Sequence, residues 1–161
     1  MSKNLTFVKS VWKNFLENSG LEPTLLKGLT LTAAAPGRVT FELELQKEHT
    51  NRLGILHGGT IASMVDLGGS LAVASNGLFA TGVSTDLNVT YLSSGGKIGD
   101  KIIGEVTCDK FGKTLAYTKA EFKDVKGNVF ARGSHTKYIQ QAWKDERNRV
   151  EEMSAYGSNS Q

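Results

Sequence analysis

The sequence predicts an α+β fold, a curled antiparallel sheet wrapped around one long central helix, with a further helix at the N-terminus. Three observations predict it. Residues 60–76 carry apolar side chains that point in nearly every helical direction, so that helix is buried on all sides. Four strand-like segments then follow in succession with no helix between them, which excludes a doubly wound parallel sheet. The joints KFGK and DVKGN hold glycine beside polar residues, as hairpin turns do.

Each element has its own signal. Residues 4–18 place Leu5, Val8, Val11, Trp12, Phe15 and Leu16 on one helical face, and Asn18-Ser19-Gly20 ends that helix. Residues 21–36, with Pro23 and Pro36, hold a short helical turn and a first strand near Leu29–Ala34. In GRVTFELELQ, Val39, Phe41, Leu43 and Leu45 alternate with Arg38, Thr40, Glu42 and Glu44, a strand with one wet face. KEHTNRLGILHGG is a loop. The central helix covers about 59–76 and stops at Asn76-Gly77. Gly68-Gly69 inside it cost about 1 kcal/mol each relative to alanine and mark a close approach of another backbone. In VSTDLNVTYL, Ser84, Asp86, Asn88 and Thr90 alternate with Val83, Thr85, Leu87, Val89 and Tyr91, so Ser84, Asp86 and Asn88 share a face. DKIIGEVTCDKF, GKTLAYTKAEFKD and GNVFARGSHTKYIQ complete the sheet. A single domain spans 1–140, and 141–161 is a polar extension, partly helical or disordered, with a candidate helix over 142–153 and a disordered tail beyond.

Composition narrows the function classes. The chain has 161 residues, 39% of them hydrophobic, enough for one packed core. A net charge of +3 without a Lys/Arg cluster among aromatics argues against nucleic acid and suits an anionic small molecule. Cys108 is the single cysteine, read as a buried structural thiol in a reducing compartment. No apolar run reaches the roughly 18 residues of a membrane span, and no secretory signal opens the chain. The amphipathic start, with Lys3, Lys9 and Lys13 but no arginine, reads as a surface helix, with a weak mitochondrial presequence as the alternative. A cytoplasmic or mitochondrial location is therefore expected.

One stretch carries the chemistry, NRLGILHGGTIASMVDLGGS at 51–70. Gly58-Gly59 sit where a helix begins, and free amides there stabilise a developing oxyanion; the plainer alternative is a loop-to-helix joint. Asp66 lies two turns into the apolar helix, where burial strips its water and raises its pKa. It is either a structural aspartate held by arginine or backbone amides, or a general base or water-orienting group. His57 is a base, a loop-holding residue or a metal ligand, although no spacing of His, Cys or Asp around it makes a metal site. A G-x-S-x-G elbow is absent, so no serine is marked as a nucleophile.

Together with GVSTDLNVTYL, GKTLAYTKAEF and ARGSHTKY, this stretch resembles the PaaI-like hotdog-fold acyl-CoA thioesterases, most closely the eukaryotic branch typified by acyl-CoA thioesterase 13. The resemblance covers about residues 5 to 138. It implies hydrolysis of an acyl-CoA to a carboxylic acid and CoA, without cofactor or metal, at the interface of a homodimer that pairs again into a tetramer. By resemblance, Asn51 and the Gly58 N–H polarise the thioester carbonyl. Asp66, helped by Ser84 of the same partner subunit, activates or orients water, and His57 holds the loop and Asn51. Asp66 attacking the carbonyl to form an anhydride is the alternative route. Lys113, His135, Lys137 and Arg52 are candidates to meet the CoA phosphates, and Met64, Leu67, Leu71 and Leu78 to line an acyl tunnel. A non-catalytic acyl-CoA-binding or scaffold protein on the same fold is the competing class. A hotdog enoyl-CoA hydratase would require a histidine shortly after Asp66, which this chain lacks.

Overall fold

The chain begins with a capped amphipathic helix. The computed structural model describes residues 1–154, and the expected tail over 155–161 lies outside them. Helix α1 covers Lys3–Asn18, with Ser2 accepting from the Leu5 N–H at 3.1 Å, and it buries Val8, Val11 and Trp12. A one-turn helix α2 (Leu21–Leu25) follows; Pro23 fits because the first N–H groups of a helix have no internal partner anyway. Strands β1 (Thr30–Ala35) and β2 (Arg38–Glu44) form a hairpin whose turn uses Pro36 and then Gly37 at φ +71°. The central helix α3 spans Gly58–Ala74, and strands β3 (Val83–Tyr91), β4 (Lys101–Phe111), β5 (Leu115–Asp124) and β6 (Val129–Tyr138) complete a six-stranded sheet.

All pairings are antiparallel, in the order β1-β2-β4-β5-β6-β3. The sheet curls because its buried face packs α3 against strands β2 to β6. Gly68 and Gly69 make this fit possible. What comes close is side chains, not the backbone the sequence reading expected. A Cβ on Gly68 would stand 2.7 Å from Val106 Cγ2, and one on Gly69 would stand 2.6 Å from Thr118 Oγ1 and overlap His135 Nδ1.

The two sheet edges differ. α1 packs on β1, while β3 pairs with β6 alone and is exposed along almost its whole length. The alternation expected for β3 breaks at a bulge, because Ser84 pairs with Lys137 but Asp86 pairs with Thr136. The extra residue, Thr85, turns Ser84 toward α3, whereas Asp86 and Asn88 stay on the outer face. The expectation that Ser84, Asp86 and Asn88 share a face is thereby corrected.

Residues 142–153 are not one helix. A 3-10 turn (Ala142–Lys144) and a single α-turn, α4 (Val150–Met153), form a strap that docks on the C-terminal end of α3. Asn4 Nδ2 donates to Ser75 O and Met153 O, Asn148 Oδ1 accepts from Phe79 N–H, and Arg149 N–H donates to Gly77 O. Ala142 joins Val73, Leu78, Ala116 and Ile139 in a second small core. The polarity of the segment hid these anchoring contacts. Among the described residues no helix is long and apolar enough to cross a membrane.

Candidate active site

The start of α3 is built to leave one amide open. Buried His49 accepts from Gln46 N–H at Nδ1, so its Nε2–H donates to Leu25 O at 2.7 Å. The His49 carbonyl in turn accepts from His57 N–H and from Thr60 Oγ1, which ties the loop to the helix start. His57 is the N-cap, its Nδ1 accepting from Gly59 N–H at 2.7 Å. Thr60 and Ile61 N–H donate to His57 O. The Gly58 N–H, between these, has no hydrogen-bond partner among the described residues. Tyr91 lies against Gly58 where a Cβ would crowd its ring, and its hydroxyl donates to Gly58 O at 2.9 Å.

Asn51 lies in the loop that leads into α3. Its Oδ1 accepts from Leu53 N–H at 2.9 Å and Ile55 N–H at 3.4 Å, closing a turn that Gly54 completes at φ +74°. With the oxygen committed, the Nδ2 amide is the group left to donate, and it has no partner among the described residues.

Two turns along α3, Asp66 faces the open β3 side. Its side chain is 50% exposed, so the expected burial of this carboxylate is corrected; it sits on the rim of the apolar helix. Ser84 Oγ is 3.0 Å from Asp66 Oδ2 and 2.7 Å from His135 Nε2. A carboxylate only accepts, so the Ser84 hydroxyl donates to Asp66 and accepts from His135 Nε2–H. That leaves His135 Nδ1 as a lone pair, buried and without a partner. Protonating it would place an N–H where nothing accepts. Burial pushes the His135 pKa down, the Lys137 cation pushes it further, and Asp66 and Asp86 oppose both.

Lys137 is buried on the same face of β6. Its Nζ donates to Ser70 Oγ at 2.6 Å, and Ser70 donates to Asp66 O at 3.3 Å. Burial pushes the ammonium down to about 8, against the pull of Asp66 and Glu22. His135 and Lys137 therefore do not reach solvent as surface phosphate ligands would. Lys113 and Arg52 do, with Lys113 on an open cleft beside Thr114, Gln140 and Trp143.

Met64, Leu67, Leu71 and Leu78 are all packed core. The Cys108 thiol is pushed up to about 11, by burial first and Asp109 second, and takes no part. Among the described residues no three His, Cys, Asp or Glu side chains converge on a metal position.

The structure thus brings together Asp66, Ser84 and His135 at one place and His57 and Gly58 at another, with Asn51 in the loop that precedes His57. Eight residues of α3 separate Gly58 from Asp66, about 12 Å along the axis. Sequence reasoning missed His135, Lys137 and Ser70 as inward-facing partners. The available signal was parity: Ala131, Gly133, His135 and Lys137 fall on one side of β6, with Ile139 just beyond it in step, and the apolar members mark that side as inward.

The profile of the thioesterase superfamily matches residues 53–131. A Schizosaccharomyces pombe protein that carries a provisional esterase name is 46% identical over 147 residues, 91% of each chain. Human acyl-coenzyme A thioesterase 13 is 40% identical over 116 residues, 71% of this chain and 82% of the human one. The crystal structure of zebra fish thioesterase superfamily member 2 superposes with a TM-score of 0.78 at 34% identity, covering 86% of this chain and 99% of that one.

Proposed function

Because the chain belongs to the thioesterase superfamily, a family of hydrolases, we propose that it hydrolyses acyl-CoA thioesters at a site assembled from two protomers. The observation that carries this reading is the pair of half-sites at opposite ends of one helix stretch. The open Gly58 N–H and the uncommitted Asn51 amide are donors without an acceptor, and the half-exposed Asp66 is an acceptor held by Ser84. One protomer cannot close them on a single thioester, whereas a twofold dimer brings the donors of one chain to the acid of the other. The open edge of β3, with exposed Val83, Leu87 and Tyr91 and the neighbouring Leu92, supports pairing there. Dimers then associate into a tetramer.

On this reading Gly58 N–H and Asn51 Nδ2 donate to the thioester oxygen, and each strengthens its bond as negative charge grows there. Losing one such donor costs about 3 kcal/mol in known oxyanion holes. Asp66 takes the proton of the attacking water while Ser84 orients the carboxylate, and as the C–S bond breaks Asp66 returns that proton to the CoA sulfur, which leaves as the thiol. His57 acts by holding the helix start. The CoA phosphates meet exposed Lys113 and Arg52. Neither cofactor nor metal enters the reaction.

Thiol release across a panel of aliphatic and aryl CoA esters tests the activity. Asp66→Asn is expected to lower kcat at least about 100-fold with the oligomer intact. Mixing Asp66→Asn with Asn51→Ala chains tests the shared site, since statistical pairing restores about a quarter of wild-type turnover only if each site draws on both chains. A near-normal kcat in Asp66→Asn would overturn the assignment.

A further inference from the structure

Lys137 is the charged group that the proposed reaction does not use. It is 3% exposed and reaches Ser70 Oγ, one helical turn beyond Asp66. The charged groups that act on it are Asp66 on α3 and Glu22 on α2, with His135 two residues away on β6 feeling its charge in turn, and Asp86 on β3 acting on His135. Across the ladder it pairs with Ser84 on one side and Ala116 on the other.

Resting on the reading of Asp66 as the base, we propose that Lys137 is a positioning residue for it. Its buried ammonium, anchored on Ser70, supplies the counter-charge to the Asp66 carboxylate and excludes a second cation at His135, which fixes the direction of the hydrogen bonds from His135 through Ser84 to Asp66. Three features of the geometry support this. The single anchor, Ser70 Oγ, itself donates to the Asp66 carbonyl, so ammonium and carboxylate share one turn of α3. His135 has a buried Nδ1 with no acceptor nearby, and a neighbouring cation keeps the proton off it. The ammonium is not there for stability, because its burial, which lowers it to about 8, opposes folding at neutral pH.

The test is the pH profile of kcat/KM for acyl-CoA hydrolysis, with Lys137→Met against wild type and melting temperature as the fold control. The ammonium disfavours an imidazolium at His135, so its removal should move the acid limb to higher pH. The change in rate that accompanies loss of the ammonium near pH 8 should disappear. A melting temperature at or above wild type is expected with these shifts. Profiles that superimpose over the whole range overturn the proposal. If Lys137→Met fails to fold, Ser70→Ala serves: losing its anchor, the ammonium deprotonates earlier, and the alkaline change moves to lower pH, while an unmoved profile again refutes. Asp66→Asn separates the two levels. If it retains turnover the base assignment falls, whereas an inactive Asp66→Asn beside an unmoved Lys137→Met profile removes only the role of Lys137.

Discussion

Gly69→Ala sets helix propensity against packing, and the two predict opposite signs. An alanine in mid-helix is worth about 1 kcal/mol over glycine, so propensity alone predicts a more stable protein. In the structure the added methyl would lie 2.6 Å from Thr118 Oγ1 and overlap His135 Nδ1, and both side chains are buried. Neither can swing into solvent, so α3 or β6 must shift, an overpacking cost of about 1–3 kcal/mol. Moving His135 also stretches its 2.7 Å bond to Ser84, a loss of about 1 kcal/mol. The net is a destabilisation of about 1–3 kcal/mol, a fall in melting temperature of about 3–10 °C for a chain of this size. Thermal and urea unfolding followed by far-UV circular dichroism measure it. Gly68→Ala is the control, because the atoms nearest its methyl belong to Val106 and Phe41. It should cost stability while leaving kcat closer to wild type than Gly69→Ala does. A Gly69→Ala protein that melts at or above wild type would show that α3 does not seat His135 in this way.

Ser84→Ala strands the buried His135 Nε2–H and removes the donor from Asp66, a loss of about 1–3 kcal/mol that should lower kcat/KM about 10- to 100-fold. Thiol-release kinetics within twofold of wild type would contradict the hydrogen-bond chain. Lys137 makes stability depend on pH in a defined direction. Its folded value of about 8 lies below its ordinary 10.5, so between them the unfolded chain binds the extra proton and unfolding free energy rises with pH. The full span is worth about 3 kcal/mol, lost below pH 8 and recovered toward 10.5. Urea titrations from about pH 7 to 10 should therefore show wild type gaining on Lys137→Met, and a gap that widens with pH would refute the sign.

The order of elements was legible because each carries a local pattern. β2 alternates strictly, α1 keeps one apolar face, and the hairpin turns hold their glycines. How the partly helical segment over 142–153 is held was illegible for the opposite reason, since its anchors are single contacts from Asn4, Asn148 and Arg149 to backbone far away in sequence. His57, Gly58 and Asp66 stood out in one dense motif, whereas Asn51 and Ser84 were named only by the family resemblance.

The sequence alone determined the helix-in-sheet architecture, because hydrophobic period and glycine placement act over a few neighbours. Only the tertiary structure decided how the chemistry of the site is wired. The bulge at Thr85 turns Ser84 inward, the parity of β6 brings His135 and Lys137 beneath α3, and Asp66 stays on the open rim instead of in the core. A one-residue change of register reverses the face of a side chain, and no local pattern records it until the strands have paired.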